Sequence, residues 1–257
     1  MFNRISNPSP YANQGDEPSQ SEDSDSFTET LADLALQRSP SMPDGMGCCV
    51  STPRTSDPHN PGASSAARPP LFEYRTVELA QANVDNICLG LTSEWLGNLR
   101  YSPTSRINAL TPGSEGHRAA AERQRQYQHL RAGLRSDGVE SSQADLQAKN
   151  TVLRELRLDP AGKEKEYSFD EPTSSARMFD KITADGSRHI LSLRFAEGGR
   201  HSIATSASDG TTTLFDPNYG EFDVRSGEMD GLFHSLADRY RDPNGLTLST
   251  ISTQKIR

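Results

Sequence analysis

Three short alternating runs, separated by glycine turns, constrain this chain more than any other feature of its sequence. His189 to Ala196 (HILSLRFA) alternates apolar and polar residues as a half-buried strand does. His201 to Ser206 (HSIATS) and Thr211 to Phe215 (TTTLF) are a second and a third strand. Glu197-Gly198-Gly199 and Ser208-Asp209-Gly210 lie between them and supply the glycines that tight hairpins favour. Phe222 to Val224 begins a further strand, residues 226–240 (SGEMDGLFHSLADRY) read as a helix, and Leu246 to Ser252 (LTLSTIS) as a last strand. The later part of the chain is therefore an antiparallel meander.

The part before it is helical. Residues 115–135 are rich in strong helix formers, and residues 141–158 carry Leu146, Val152, Leu153 and Leu156 on one apolar face. His117 and His129 fall on polar faces of this region, and no Cys or His spacing suggests a metal site. Leu71 to Ala82 is a short strand or a turn leading in. A helical half followed by an antiparallel half predicts an α+β domain over residues 71–257.

One cysteine stands out. In Asn83 to Leu96 (NVDNICLGLTSEWL), Ile87, Leu91 and Trp95, with Leu99 beyond, recur every four residues, so one helical face is apolar. Asp85 and Asn86 are capping residues, which starts the helix there and puts Cys88 in its first turn. Free N–H groups and the positive end of the helix dipole favour a thiolate at that place. A lone cysteine is more often a small buried hydrophobe, so the chemistry depends on what lies downstream. His201 opens one strand of the meander and Asp216 ends the next, 15 positions on. Adjacent antiparallel strands bring such residues together, and an aspartate then fixes an imidazole while its other nitrogen faces a thiol. His189 has no acid at a comparable spacing, and His234, on a helix beside Phe233, reads as structural.

The first 70 residues are of another kind. Of the chain's net charge of −8, residues 1–46 hold eight acidic and two basic residues, a net −6, which leaves −2 for the rest. Ser, Pro, Asn and acidic residues dominate there, too polar to offset chain entropy, which predicts disorder, with Phe27 to Leu36 able to form a short amphipathic turn. The near-neutral body implies no basic groove and no nucleic-acid partner. Three cysteines, two of them adjacent, make no disulfide framework and suit a reducing environment. No apolar run reaches the length of a membrane span, and no secretory signal pattern is present. Met46-Gly47-Cys48-Cys49-Val50-Ser51 matches the M-G-x-x-x-S pattern of N-myristoylation, with two cysteines suited to palmitoylation. Gly47 is internal, so the motif works only if the chain is cut between Met46 and Gly47. Thr52 to Pro70 is a Ser/Pro/Ala/Gly-rich tether.

Asn-Ile-Cys88 heading a helix with Glu94-Trp95, Gly-Gly-Arg-His201-Ser-Ile-Ala-Thr, and Phe-Asp216-Pro-Asn-Tyr-Gly-Glu-Phe resemble the YopT/AvrPphB-like cysteine proteases. These are papain-like enzymes that bacteria inject into eukaryotic cells, and the likeness is greatest to rhizobial members. The order Cys, His, Asp, at intervals of 113 and then 15 positions, fits that family. The resemblance implies a papain-like fold, with Cys88 as nucleophile, His201 as general base and acid, and Asp216 as its orienter. It suggests Asn83 as side-chain donor to the oxyanion beside the Cys88 N–H, with Asn86 the weaker candidate. No cofactor is implied.

It further implies a type III effector in three parts: a disordered export segment (1–46), a lipidation site and linker (47–70), and a protease domain (71–257). Self-cleavage between Met46 and Gly47 would expose Gly47 for myristoylation and Cys48 and Cys49 for palmitoylation by host acyltransferases. That would tether the enzyme to the host plasma membrane, where host signalling proteins, kinases or small GTPases, would be its substrates. The family's self-processing sites carry a lysine shortly before the cut, where this chain has Gly45, so the efficiency of the cut stays open. Deamidases, acyltransferases and transglutaminase-like enzymes use the same triad. A non-catalytic, membrane-tethered binding protein is the remaining alternative.

Overall fold

The computed structural model describes residues 70–79, 81–83 and 86–257. The readings for Asp85 and for residues 1–69, including Phe27 to Leu36, Met46, Gly47, Cys48 and Cys49, lie outside the described residues.

The meander forms as its turns dictate: β3 (Arg188–Phe195), β4 (Arg200–Ser208), β5 (Thr211–Asp216) and β6 (Gly220–Arg225). With β1 (Arg75–Glu78), β2 (Pro160–Ser168) and β7 (Leu248–Ile256) they make one seven-stranded sheet in the order β1-β6-β5-β4-β3-β7-β2. Every neighbouring pair is antiparallel. The last strand runs four residues past the expected end. Its polar tail is buried between β3 and β2, and Gln254 is spared an unmet donor by giving a hydrogen bond to Asn150 Oδ1 (2.9 Å).

Helices cover both faces. On one lie α1 (Cys88–Gly97), α2 (Pro103–Asn108), α3 (Glu115–Ser136) and α4 (Ser141–Glu155); on the other, α5 (Pro172–Ile182) and α6 (Met229–Arg241). The first core joins Leu91, Trp95, Ile107, Ala120 and Leu153 to Ile190, Ala204 and Phe215 of the sheet. The second joins Met178, Leu232, Phe233 and Leu236 to Leu191, Leu193, Ile203 and Leu214. Alternate residues of β3 and β4 thus feed opposite cores, as the strand period requires. Each fully buried Leu, Ile, Phe or Met among them contributes roughly 1.5–3 kcal/mol.

α1 differs from expectation in two respects. It starts at Cys88, because Asn86 adopts φ +55° and Ile87, at the cap position, has no side-chain oxygen to offer. Instead Gln124 Oε1, reaching from α3, accepts from the Gly90 N–H (3.2 Å). The helix is also buried on more than one face: beside Leu91 and Trp95, Gly90, Thr92 and Ser93 are buried, since α3 crosses it on the side away from the sheet. A Cβ on Gly90 would stand 2.0 Å from the Ala120 carbonyl oxygen, so the crossing requires glycine. Leu99 lies past the end of the helix and is half-buried. In α4, Ala144, Ala148, Val152 and Leu153 are buried, while Leu146 and Leu156 are half-buried. Leu71 to Ala82 resolves into a single helical turn and β1.

Candidate active site

Cys88 is the first residue of α1, His201 the second of β4 and Asp216 the last of β5. The sheet register sets Ala204 opposite Phe215, and on the other face of the same pair Asp216 reaches His201. Phe215, one residue before Asp216, stacks flat on Trp95 of α1 at 5.2 Å between ring centroids. Thr92 Oγ1, one turn beyond Cys88, donates to the Ser202 carbonyl (2.9 Å). These two contacts bolt the helix bearing the cysteine to the strands bearing the histidine and the aspartate.

The Nε2–H of His201 donates to Asp216 Oδ1 (3.0 Å), which leaves Nδ1 for Cys88. His201 and Asp216 are buried, and Cys88 is half-buried at the floor of a cleft. Burial pushes the Cys88 thiol up. The hydrogen bond and charge of His201, with backbone and side-chain donors of Ser202, outweigh burial and hold the thiol below its ordinary value. Burial likewise opposes a charged imidazole, but the charge and hydrogen bond of Asp216, then Cys88, raise His201 to about 10. Both shifts run in the direction of a thiolate facing an imidazolium.

Asp216 is held by more than the histidine. Oδ1 also accepts from the Asn218 N–H (2.8 Å), and Oδ2 accepts from the Tyr240 hydroxyl (2.7 Å). Burial and then the charge of Asp216 keep Tyr240 well above its ordinary value, so it remains a donor. Its ring lies against His201, 5.6 Å between centroids. Asn83, the expected oxyanion donor, is tied to this group through its far end: its Nδ2 donates to Asn218 Oδ1 (2.7 Å). Asn86 lines the cleft beside Cys88.

The cleft has a volume of about 520 Å³ and lies between α3, α4 and the start of β4. Arg131, Arg135, Lys149 and Arg200 line it, a local concentration of cations that the near-neutral charge of residues 47–257 conceals. Asp145 accepts from Tyr127 and pairs with Arg200 (3.2 Å) and Arg131 (3.6 Å). Lys149 is buried against Glu164. Sequence reasoning missed Ser202, Asn218, Tyr240, Gln124 and Asp145. Ser202 and Asn218 stand beside candidates already singled out; Tyr240, Gln124 and Asp145 carry no local signal.

The other histidines fall elsewhere. His189 is buried at the opposite end of β3, where burial, then Lys255 and Lys181, lower it to about 4. His234 packs on Phe169 (5.1 Å) and bonds the Asp230 carbonyl (2.9 Å), a structural place. His117 Nε2 bonds the Ala82 carbonyl (2.8 Å) and so fixes the segment leading to Asn83. Among the described residues no three His, Cys, Asp or Glu side chains group as metal ligands, and no helix is long and apolar enough to cross a membrane.

The model of the Peptidase_C58 family, described as Yersinia/Haemophilus virulence surface antigen, matches residues 66–256. The chain is 57% identical, over the whole of both chains, to a protein of Bradyrhizobium diazoefficiens named as a YopT-like cysteine protease. It is 54% identical, again over the whole of both, to one so named in Sinorhizobium fredii. It is 32% identical to the cysteine protease avirulence protein AvrPphB of Pseudomonas savastanoi pv. phaseolicola, over 66% of this chain and 64% of that one. The crystal structure of Pseudomonas AvrPphB superposes with a TM-score of 0.66 at 25% identity, covering 73% of this chain and 99% of that one. With the fold, the family model and the relatives in agreement, the chain belongs to the YopT/AvrPphB family of cysteine proteases.

Proposed function

We propose that this protein is an effector endopeptidase in which Cys88 is the nucleophile, His201 the proton carrier and Asp216 the group that orients it. The observation that carries this reading is the unbroken hydrogen-bonded line from Cys88 through His201 to Asp216, with the thiol lowered and the imidazole raised. The thiolate adds to a peptide carbonyl, and the oxyanion is met by the Cys88 N–H at the start of α1. Asn83 adds a side-chain donor, because its amide carries two hydrogens and Asn218 takes one. The His201 imidazolium gives its proton to the leaving amine as the C–N bond breaks and a thioester forms. Neutral His201 then takes a proton from water, whose hydroxide displaces the thiolate.

The first substrate is the chain itself, cut between Met46 and Gly47. Exposure of Gly47 then allows myristoylation, and palmitoylation of Cys48 and Cys49 adds the further acyl chains that stable membrane binding needs. The cations lining the cleft, Arg131, Arg135 and Arg200, suit a substrate peptide that carries a carboxylate, and this one has Asp44 two residues before Met46. Residues 1–46 act as the export segment, and host signalling proteins at the plasma membrane, kinases or small GTPases, are the later substrates. The test is the intact mass of full-length protein, wild type beside Cys88→Ala. Wild type should lose residues 1–46 while the variant keeps them. Two full-length products, together with an uncut synthetic peptide spanning Met46-Gly47, would refute the reading.

A further inference from the structure

A second cavity, of about 500 Å³, lies away from Cys88 between β2 and α5. β2 is three strands from β4 in the sheet, and the two cavities share no residue. Lys165 and Tyr167, two positions apart on a strand, face the same side. Arg177 and Lys181, four apart on a helix, do so too. The two elements thus turn three cations onto one space.

None of the three is neutralised: among the described residues, no carboxylate pairs with Lys165, Arg177 or Lys181. The lining also holds two carboxylates, but Glu166 pairs with Arg194 (3.7 Å) and Asp180 is exposed and pairs with none of the three cations. Lys165 and Lys181 stand close enough that the Lys181 ammonium lowers Lys165. Beneath them Tyr167 is only 7% exposed, and its buried hydroxyl makes no hydrogen bond of normal geometry, although Lys181 is near enough to feel it. Ser174 Oγ, also lining the cavity, accepts from the Ser168 N–H (3.1 Å), which leaves its own O–H as a donor.

Two ammonium groups held together, a guanidinium beside them and a buried hydroxyl below form an arrangement that wants an anion of more than one charge. The geometry points to a phosphate-binding site formed by Lys165, Arg177, Lys181 and Tyr167. A phosphate group brings roughly −1.5 to −2 charge at neutral pH and several acceptor oxygens, enough to serve every one of these donors. The chemistry that holds the phosphate is the same whether it comes free in solution or on a phospholipid headgroup.

The experiment titrates the full chain with inorganic phosphate by calorimetry. It also sediments the chain with phosphatidylcholine vesicles, with and without phosphatidylinositol phosphate. Wild type is compared with Lys165→Ala/Lys181→Ala, with Tyr167→Phe, and with Lys163→Ala, an exposed lysine of the same strand outside the cavity. The double variant should bind at least about tenfold more weakly, the loss expected of charge-assisted contacts, while Lys163→Ala binds as wild type does. Binding of inorganic phosphate alone would assign the free ion. Capture by phosphoinositide vesicles, reversed by inorganic phosphate, would assign the headgroup. No binding to either probe, or equal loss with Lys163→Ala, would overturn the proposal. All three lysines are exposed, so the variants should fold.

Discussion

Replacing His201 by alanine separates the two forces that act on Cys88. An ordinary thiol, with a pKa near 8.5, is about 3% thiolate at neutral pH. In the native site the His201 charge and hydrogen bond outweigh burial, so the wild-type fraction should exceed that figure. Without His201 only the Ser202 donors oppose burial, which is the largest influence on the thiol, and the fraction should fall below it. Each unit of pKa is a tenfold change in thiolate at a pH well below it, so Cys88 alkylation at neutral pH should slow in the variant. The assay is iodoacetamide labelling across pH, read by peptide mass spectrometry so that Cys48 and Cys49 are followed separately. Wild-type labelling of Cys88 should rise and level off at a lower pH than that of an ordinary thiol. The variant should rise steadily with pH. A wild-type profile that follows an ordinary thiol, or a variant that matches wild type, would refute the ion pair.

Tyr240→Phe removes one of the donors to the buried Asp216 carboxylate; a lost hydrogen bond to a charged group costs about 1.5–3 kcal/mol, read as lower stability in denaturant, and kcat should fall more than KM rises. Gly90→Ala drives a Cβ into the Ala120 carbonyl, and the melting temperature should drop sharply, whereas Gly97→Ala, at a site with open space, should leave it nearly unchanged. His189 has a folded pKa of about 4 against an ordinary 6.5, so below pH 6.5 the unfolded chain binds a proton that the folded chain refuses. Stability attributable to it therefore falls as pH drops from 6.5 toward 4, by at most about 3 kcal/mol, and denaturant melts of His189→Leu should lack that part of the slope.

The meander was legible because its signals are local: glycine turns and alternation at period two define β3, β4 and β5 within 30 residues. The same locality made His201 and Asp216 readable as neighbours. β2 was not legible, since its middle (Gly162 to Glu166) is charged and largely exposed at the sheet edge, with no apolar alternation to betray a strand. α5 escaped notice behind Pro172, although Met178, Phe179 and Ile182 do fall on one face. The start of α1 was misplaced because a cap residue in sequence is only a candidate, and the cap came from Gln124, 34 positions away from Gly90. Tyr240 shows the same limit within the site: its hydroxyl meets Asp216 only because α6 docks under β5.

Cys88 and His201 belong to different layers of the molecule, and only the docking of α1 on the sheet, through Trp95 on Phe215 and Thr92 on Ser202, brings them together. Neither half alone owns a reactive centre. A chain still being made, or threaded unfolded through a narrow passage, carries a cysteine and a histidine with nothing to say to each other. On the proposed reading folding is thus the safety catch: the thiol is armed when the last layer seats, and any event that parts the layers disarms it without altering Cys88 or His201.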